Sequence, residues 1–153
     1  MANSRHRFLG SLASGLAGAL ALTLLHESAR RVVPRAPRMD VLGRRGLAKV
    51  FRAAGSAPPP RDELQAMALA GDVLSNSLTY ALVGVGAPAW APARGLVLGA
   101  LAGLGGVALP PVLGLGPGPD QQAPSTRVMT VAWYAIGGLV AGEVYRRSFA
   151  RGS

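Results

Sequence analysis

Charged residues are excluded from four long blocks of this chain. Phe8 to Leu25 runs 18 residues without a charge, and Val73 to Ala93 runs 21. The segment Leu64 to Val73 leading into the second block favours helix and carries Asp72 as its one deep charge. Gly95 to Pro119 is a third uncharged block, and Val128 to Gly142 is a fourth, closed by Glu143. A hydrocarbon core about 30 Å thick takes ~20 helical residues. The first three blocks meet that length. The fourth meets it when Glu143 sits at the interface, where Trp133, Tyr134 and Tyr145 can anchor it. The pattern predicts an all-α integral membrane bundle of about four transmembrane helices, near 8–26, 64–87, 95–115 and 127–146, forming one membrane domain. A soluble helical protein is the competing reading, but four such stretches would leave too little polar surface to cover them.

Two blocks need closer reading. Arg5, His6 and Arg7 before the first apolar run resemble the start of a signal peptide, and Ala19-Leu20-Ala21 has the small-residue pattern of a cleavage site. The run continues through Leu25, however, beyond the ~7–15 residues of a cleaved segment, so a retained helix is expected. In the third block Pro110-Pro111 removes two helix hydrogen bonds, which predicts a stop or kink near Leu109. The alternatives are a kinked span reaching Leu115 or a re-entrant segment.

Composition supports the membrane reading. Half of the 153 residues are apolar and 15% are charged, where a soluble domain would carry about 25%. The net charge is +9, and the 16 basic residues are all Arg except Lys49. The absence of Cys excludes disulfides and thiolate metal sites, and the two His residues are too few for a histidine cage, so neither metal nor cofactor is expected.

Most of the charge lies in a basic connector, 30–61. Pro34 and Pro37 bracket an extended piece, Ala57-Pro58-Pro59-Pro60 is a stiff spacer, and Asp40 is placed to cap a short helix over Val41 to Ala54. On that helix Leu47, Val50, Phe51 and Ala54 share one face, and Arg44, Arg45, Lys49 and Arg52 the other. This predicts an amphipathic interfacial helix whose cations contact anionic lipid headgroups. Nucleic-acid binding finds no recognition fold or stacking platform to support it. Counting basic residues gives six on the face of the termini and ten on the connector face, which favours a cytoplasmic connector, although Arg5 and Arg7 argue the reverse. A plasma membrane is the expected location.

Small residues recur every four positions in three blocks: Gly10, Ser14 and Gly18; Gly95, Gly99 and Gly103; Gly138 and Gly142. Such stripes allow close backbone approach, within the chain or between subunits.

Polar groups at membrane depth are the candidates for chemistry. Asp72, Ser75, Asn76, Thr79 and Tyr80 form a polar run on the second helix, able to bind a proton, ion or headgroup or to hydrogen-bond another helix. His26, Glu27 and Arg30 form an interfacial cluster; Glu27 and Arg30 can pair, and Arg30 stands where a zinc-protease motif would need a second His. Glu143 is expected to pair with Arg146 and Arg147.

Leu24-Leu25-His26-Glu27 with Arg30, Ala36-Pro37-Arg38-Met39-Asp40 with Leu42-Gly43, Gly71-Asp72 through Tyr80, and Thr130 with Trp133-Tyr134 together resemble a group of small bacterial integral membrane proteins with no assigned activity. The resemblance implies a helical membrane protein and assigns no site. Function is expected to be non-enzymatic: a scaffold or accessory subunit acting through helix packing and anionic lipid, as a homo-oligomer or within a larger membrane complex. The alternative is a small transporter or proton-coupled channel built on Asp72, Asn76 and Tyr80. An interfacial lipid-modifying enzyme using His26 and Glu27 is a third reading.

Overall fold

The computed structural model describes residues 2–120 and 122–149. Among them the regular structure is entirely helical: α1 (Ala2–Val32), α2 (Met39–Ala53), α3 (Arg61–Ala81), α4 (Ala91–Val112) and α5 (Pro124–Phe149), with short 3-10 turns at Leu82–Gly84 and Pro88–Trp90. Four stretches are long and apolar enough to cross a membrane: Ser4–Val32, Arg61–Gly84, Pro88–Val112 and Pro124–Phe149. At 1.5 Å per residue each exceeds the ~30 Å of a hydrocarbon core.

The helix ends differ from the sequence expectation, and local chemistry gives the reasons. α1 continues six residues past His26 because Glu27 and Arg30 pair one turn apart at 2.6 Å and keep the charged end helical. α3 stops at Ala81 rather than near 87, since Gly86 takes a left-handed φ of 89° and Pro88 follows. Arg94 then closes this turn, its guanidinium donating to the Val83 carbonyl at 2.7 Å and the Ala87 carbonyl at 2.9 Å. α4 runs through Pro110 and Pro111 to Val112 instead of stopping at Leu109. Its end is set by Gly114 at φ 65°, where the amides of Gly114 and Leu115 return to the carbonyls of Pro111 and Pro110. Gly55 closes α2 in the same way. Asp40 does not cap α2: Arg38 occupies that position, and Asp40 lies in the first turn.

Glycine decides the packing. Gly95 meets the backbone of Gly138, Gly99 that of Tyr134 and Ala135, and Gly103 that of Val131, so α4 and α5 touch main chain to main chain. Gly142 meets Ala91 and Pro92 at the end of the same seam. On α1, Gly15 abuts Ser77 and Ala81 of α3, while Gly18 abuts Gly137 and Ala141 of α5. The small-residue stripes on these helices are therefore used within the chain. Leu22, Tyr80, Val83 and Tyr145 are fully buried at the centre, whereas Phe8, Leu24, Leu74, Leu78, Leu101 and Leu104 point outward. An apolar exterior of this kind suits a lipid environment.

The antiparallel order of the four long helices brings the start of α1, the α3–α4 turn and the end of α5 to one end. There Arg7 donates to the Gly86 carbonyl at 2.9 Å, and Gly10 lies against Phe149. The connector and α2 sit at the other end, against α3 and the 113–117 loop. Leu42 and Ala48 are the buried residues of α2, and Val50 of its apolar face is exposed.

Candidate functional site

The end of α1, the first half of α3 and the beginning of α2 line a cavity of about 50 Å³ in which several polar side chains meet apolar ones. α1 contributes Thr23, His26, Glu27 and Arg30, which fall on one face because they are three or four residues apart. α3 contributes Gln65, Ala68, Leu69 and Asp72 on the same spacing. Pro37, Met39, Asp40 and Gly43 form the roof. Two clusters that the sequence places on separate helices, around His26 and around Asp72, thus line one space. Its volume is enough for a few water-sized groups.

Asp72 accepts a hydrogen bond from the Asn76 amide at 3.1 Å, and among the described residues no cationic side chain pairs with it. Asn76 is itself buried. Tyr80, one turn further, donates its hydroxyl to the Tyr134 carbonyl at 2.8 Å. The polar run on α3 therefore splits. Asp72, Asn76 and Tyr80 face the bundle, while Ser75 and Thr79 turn outward and bond back to the carbonyls of Asp72 and Ser75 at 3.1 and 2.9 Å. Such back-bonding satisfies each hydroxyl within its own helix.

His26 stands edge-on to two aromatic rings, with centroids 5.2 Å from Trp133 and 5.8 Å from Tyr134. This fixes the imidazole plane. Its Nε2 is buried without a hydrogen-bond partner, as is the Thr23 Oγ1 one turn before it. Each such atom costs on the order of 1–3 kcal/mol when left unpaired. Two of them beside one small cavity is the arrangement expected where a water or ligand atom belongs.

The roof is fastened by charge. Arg38 grips Asp40 with two bonds of 2.9 and 3.0 Å, Arg44 adds a third at 3.3 Å, and Arg30 of α1 stands 4.0 Å away. Burial pushes the Asp40 carboxyl up, but the hydrogen bond and charge of Arg38, joined by Arg44, outweigh it and hold the group below the usual carboxylate range. Arg44 also hydrogen-bonds Gln65 of α3.

The remaining cations named from sequence separate from one another. Arg45 donates to the carbonyls of Leu115 and Pro117 at 3.2 and 2.8 Å, and Lys49 to that of Leu113 at 2.6 Å, tying α2 to the loop after α4. Arg52 is exposed on the outer side. Glu143 pairs with Arg146 and Arg147, both at 2.6 Å, near the end of α5 and at the opposite end of the bundle from the cavity.

Thr23, Asp40 and Gln65 were not expected in a site with His26 and Asp72. The spacing of Thr23 to Arg30 and of Gln65 to Asp72, seven residues each, was the available signal. Among the described residues no group of three or more His, Asp or Glu is placed to hold a metal ion. Comparison with family models, with curated proteins and with solved structures finds no match to the chain.

Proposed function

We propose that this is a small non-enzymatic integral membrane protein of the transporter or channel class, which takes a proton or another small cation from the connector side and holds it at Asp72. One observation carries the reading: Asp72 lines this cavity with His26, and its side-chain partner is the neutral amide of Asn76. An ionisable group within a membrane span is costly, and such groups mark ion and proton paths. A carboxylate that served packing alone would be expected to meet a cation or several donors. Beyond the cavity Leu22, Tyr80, Val83 and Tyr145 fill the bundle, so the site stands at the connector end of a closed interior. That is the form expected of a carrier facing one side. Among the described residues ten basic side chains lie at the connector end against five at the other, an asymmetry that favours a cytoplasmic connector over the reverse orientation that Arg5 and Arg7 would support.

The test is flux in proteoliposomes. Protein reconstituted around a trapped pH dye should admit protons under an imposed potential, and Asp72→Asn should cut that flux at least tenfold. Equal flux from the variant, or none above empty vesicles from the native chain, would overturn the proposal.

An accessory subunit is the second reading, favoured by a different observation. The outer face of α3 carries exposed Leu74 and Leu78, and Gly71 there has no neighbour where a side chain would stand. A helix of another membrane protein could lie against it, with Arg31, Arg35 and Arg52 meeting anionic headgroups. It ranks second because the stripes on α1, α4 and α5 are spent inside the chain.

A further inference from the structure

The cavity adjoins an apolar groove. Between α1 and α3, on the outer surface, lies a groove of about 630 Å³ lined by Leu12, Leu16, Leu69, Ala70, Val73 and Leu78 among others. Leu69 lines both spaces. From Ala66 to Leu78 the groove follows α3 for ~18 Å at 1.5 Å per residue, against ~15 Å for the hydrocarbon depth of one leaflet. A leaflet-deep apolar trough leading to polar groups at the connector end has the shape of a bound lipid.

The pocket chemistry selects the headgroup. The Asp72 carboxylate can only accept, and the buried, unpartnered Thr23 Oγ1 and His26 Nε2 can accept beside it, the latter when the ring proton is on Nδ1. A primary ammonium has three donors and no acceptor. It is also close to water in size, which a cavity of about 50 Å³ admits, whereas a trimethylammonium is much larger and has no donors. At the mouth, Arg30 pairs with Glu27 and stands 4.0 Å from Asp40, with 36% of its side chain exposed and donors left for a phosphate. We propose that the cavity and groove together bind one phospholipid of the connector-side leaflet, its chain along α1 and α3, its phosphate at Arg30 and its primary ammonium among Asp72, Thr23 and His26. This rests on the reading of Asp72 as a cation site and adds a lipid amine as a second, competing occupant of it.

Native mass spectrometry of protein released from nanodiscs of equal ethanolamine and choline phospholipid tests it. The native chain should keep one lipid, ethanolamine over choline by about tenfold. Asp72→Asn should bring that ratio near one, and Ala70→Trp, which fills the groove outside the cavity, should lose the lipid while proton flux persists. A ratio near one in the native chain would overturn the lipid assignment, even with flux still dependent on Asp72. So would inhibition of flux by methylammonium with no lipid retained, since the amine would then be a soluble one. Flux and lipid ratio both unchanged in Asp72→Asn would overturn the cation site as well.

Discussion

The hydroxyl of Tyr80 donates to the carbonyl oxygen of Tyr134 at 2.8 Å, joining α3 to α5 beneath the cavity. Tyr80 is fully buried, so its removal leaves no water to replace the bond. Tyr80→Phe should cost ~0.5–1.5 kcal/mol, the range of a single hydrogen bond between helices. Unfolding in mixed detergent would measure this, and an unchanged midpoint would show that the bond contributes nothing.

The α4–α5 seam should be far less tolerant. A side chain at Gly138 would overlap the Gly95 carbonyl, so Gly138→Val must push two helices apart. Overpacking of this kind costs typically ~1–3 kcal/mol, and more where only backbone can yield. Gly71→Ala, facing open space, should be neutral or stabilise by up to ~1 kcal/mol through helix propensity. The same unfolding assay ranks the pair, and the reverse order would contradict the seam.

Acid should loosen α2. The Asp40 carboxyl is held below its ordinary pKa, mainly by Arg38 and Arg44 against the opposing effect of burial. A depressed carboxylate contributes stability that is complete above the unfolded pKa of ~4 and lost as pH falls through the folded value. A spin label at Val50→Cys should therefore stay immobile at neutral pH and gain mobility only below the usual carboxylate range. Asp40→Asn should be mobile already at pH 7. A flat profile in the native background would exclude Asp40 as the fastening.

Lys49 and Arg45 clamp the loop after α4 through its carbonyls. Replacing both with Ala should raise hydrogen exchange across 113–117 several-fold and leave the Gly138 region protected. Equal exchange would mean that the Schellman turn at Gly114 holds the loop without them.

Sidedness is simple to test in a chain without Cys. Ser56→Cys in the connector and Ser148→Cys at the end of α5 should react with an impermeant reagent from opposite sides, Ser56→Cys from the cytoplasm. Labelling of both from one side would refute the four-span topology.

The four long helices were legible because charge is excluded over lengths that hydrocarbon requires. Their ends were not, since pairs such as Glu27–Arg30 and left-handed glycines such as Gly86 and Gly114 act residue by residue. The packing stripes on α1, α4 and α5 were also visible, but not the partner each would meet. For the site, Asp72 and His26 were both named. Their meeting depends on how α1 and α3 are aligned across 46 residues of chain, fixed by contacts such as Gly15 with Ser77, which no local pattern encodes. Asp40 was misread for a related reason: its three arginine partners come from positions on both sides of it, so it closes a roof rather than starting a helix.

α1 is seated from two sides, with Gly15 on α3 and Gly10 and Gly18 on α5. α1 thus has half of its seat supplied by a helix that lies more than a hundred residues further along the chain. During synthesis α1 can lean on α3 as soon as that helix has formed, but its opposite flank stays uncovered until α5 has been made. A chain arrested before α5 would therefore leave the Gly10 and Gly18 flank of α1 without the helix it packs against.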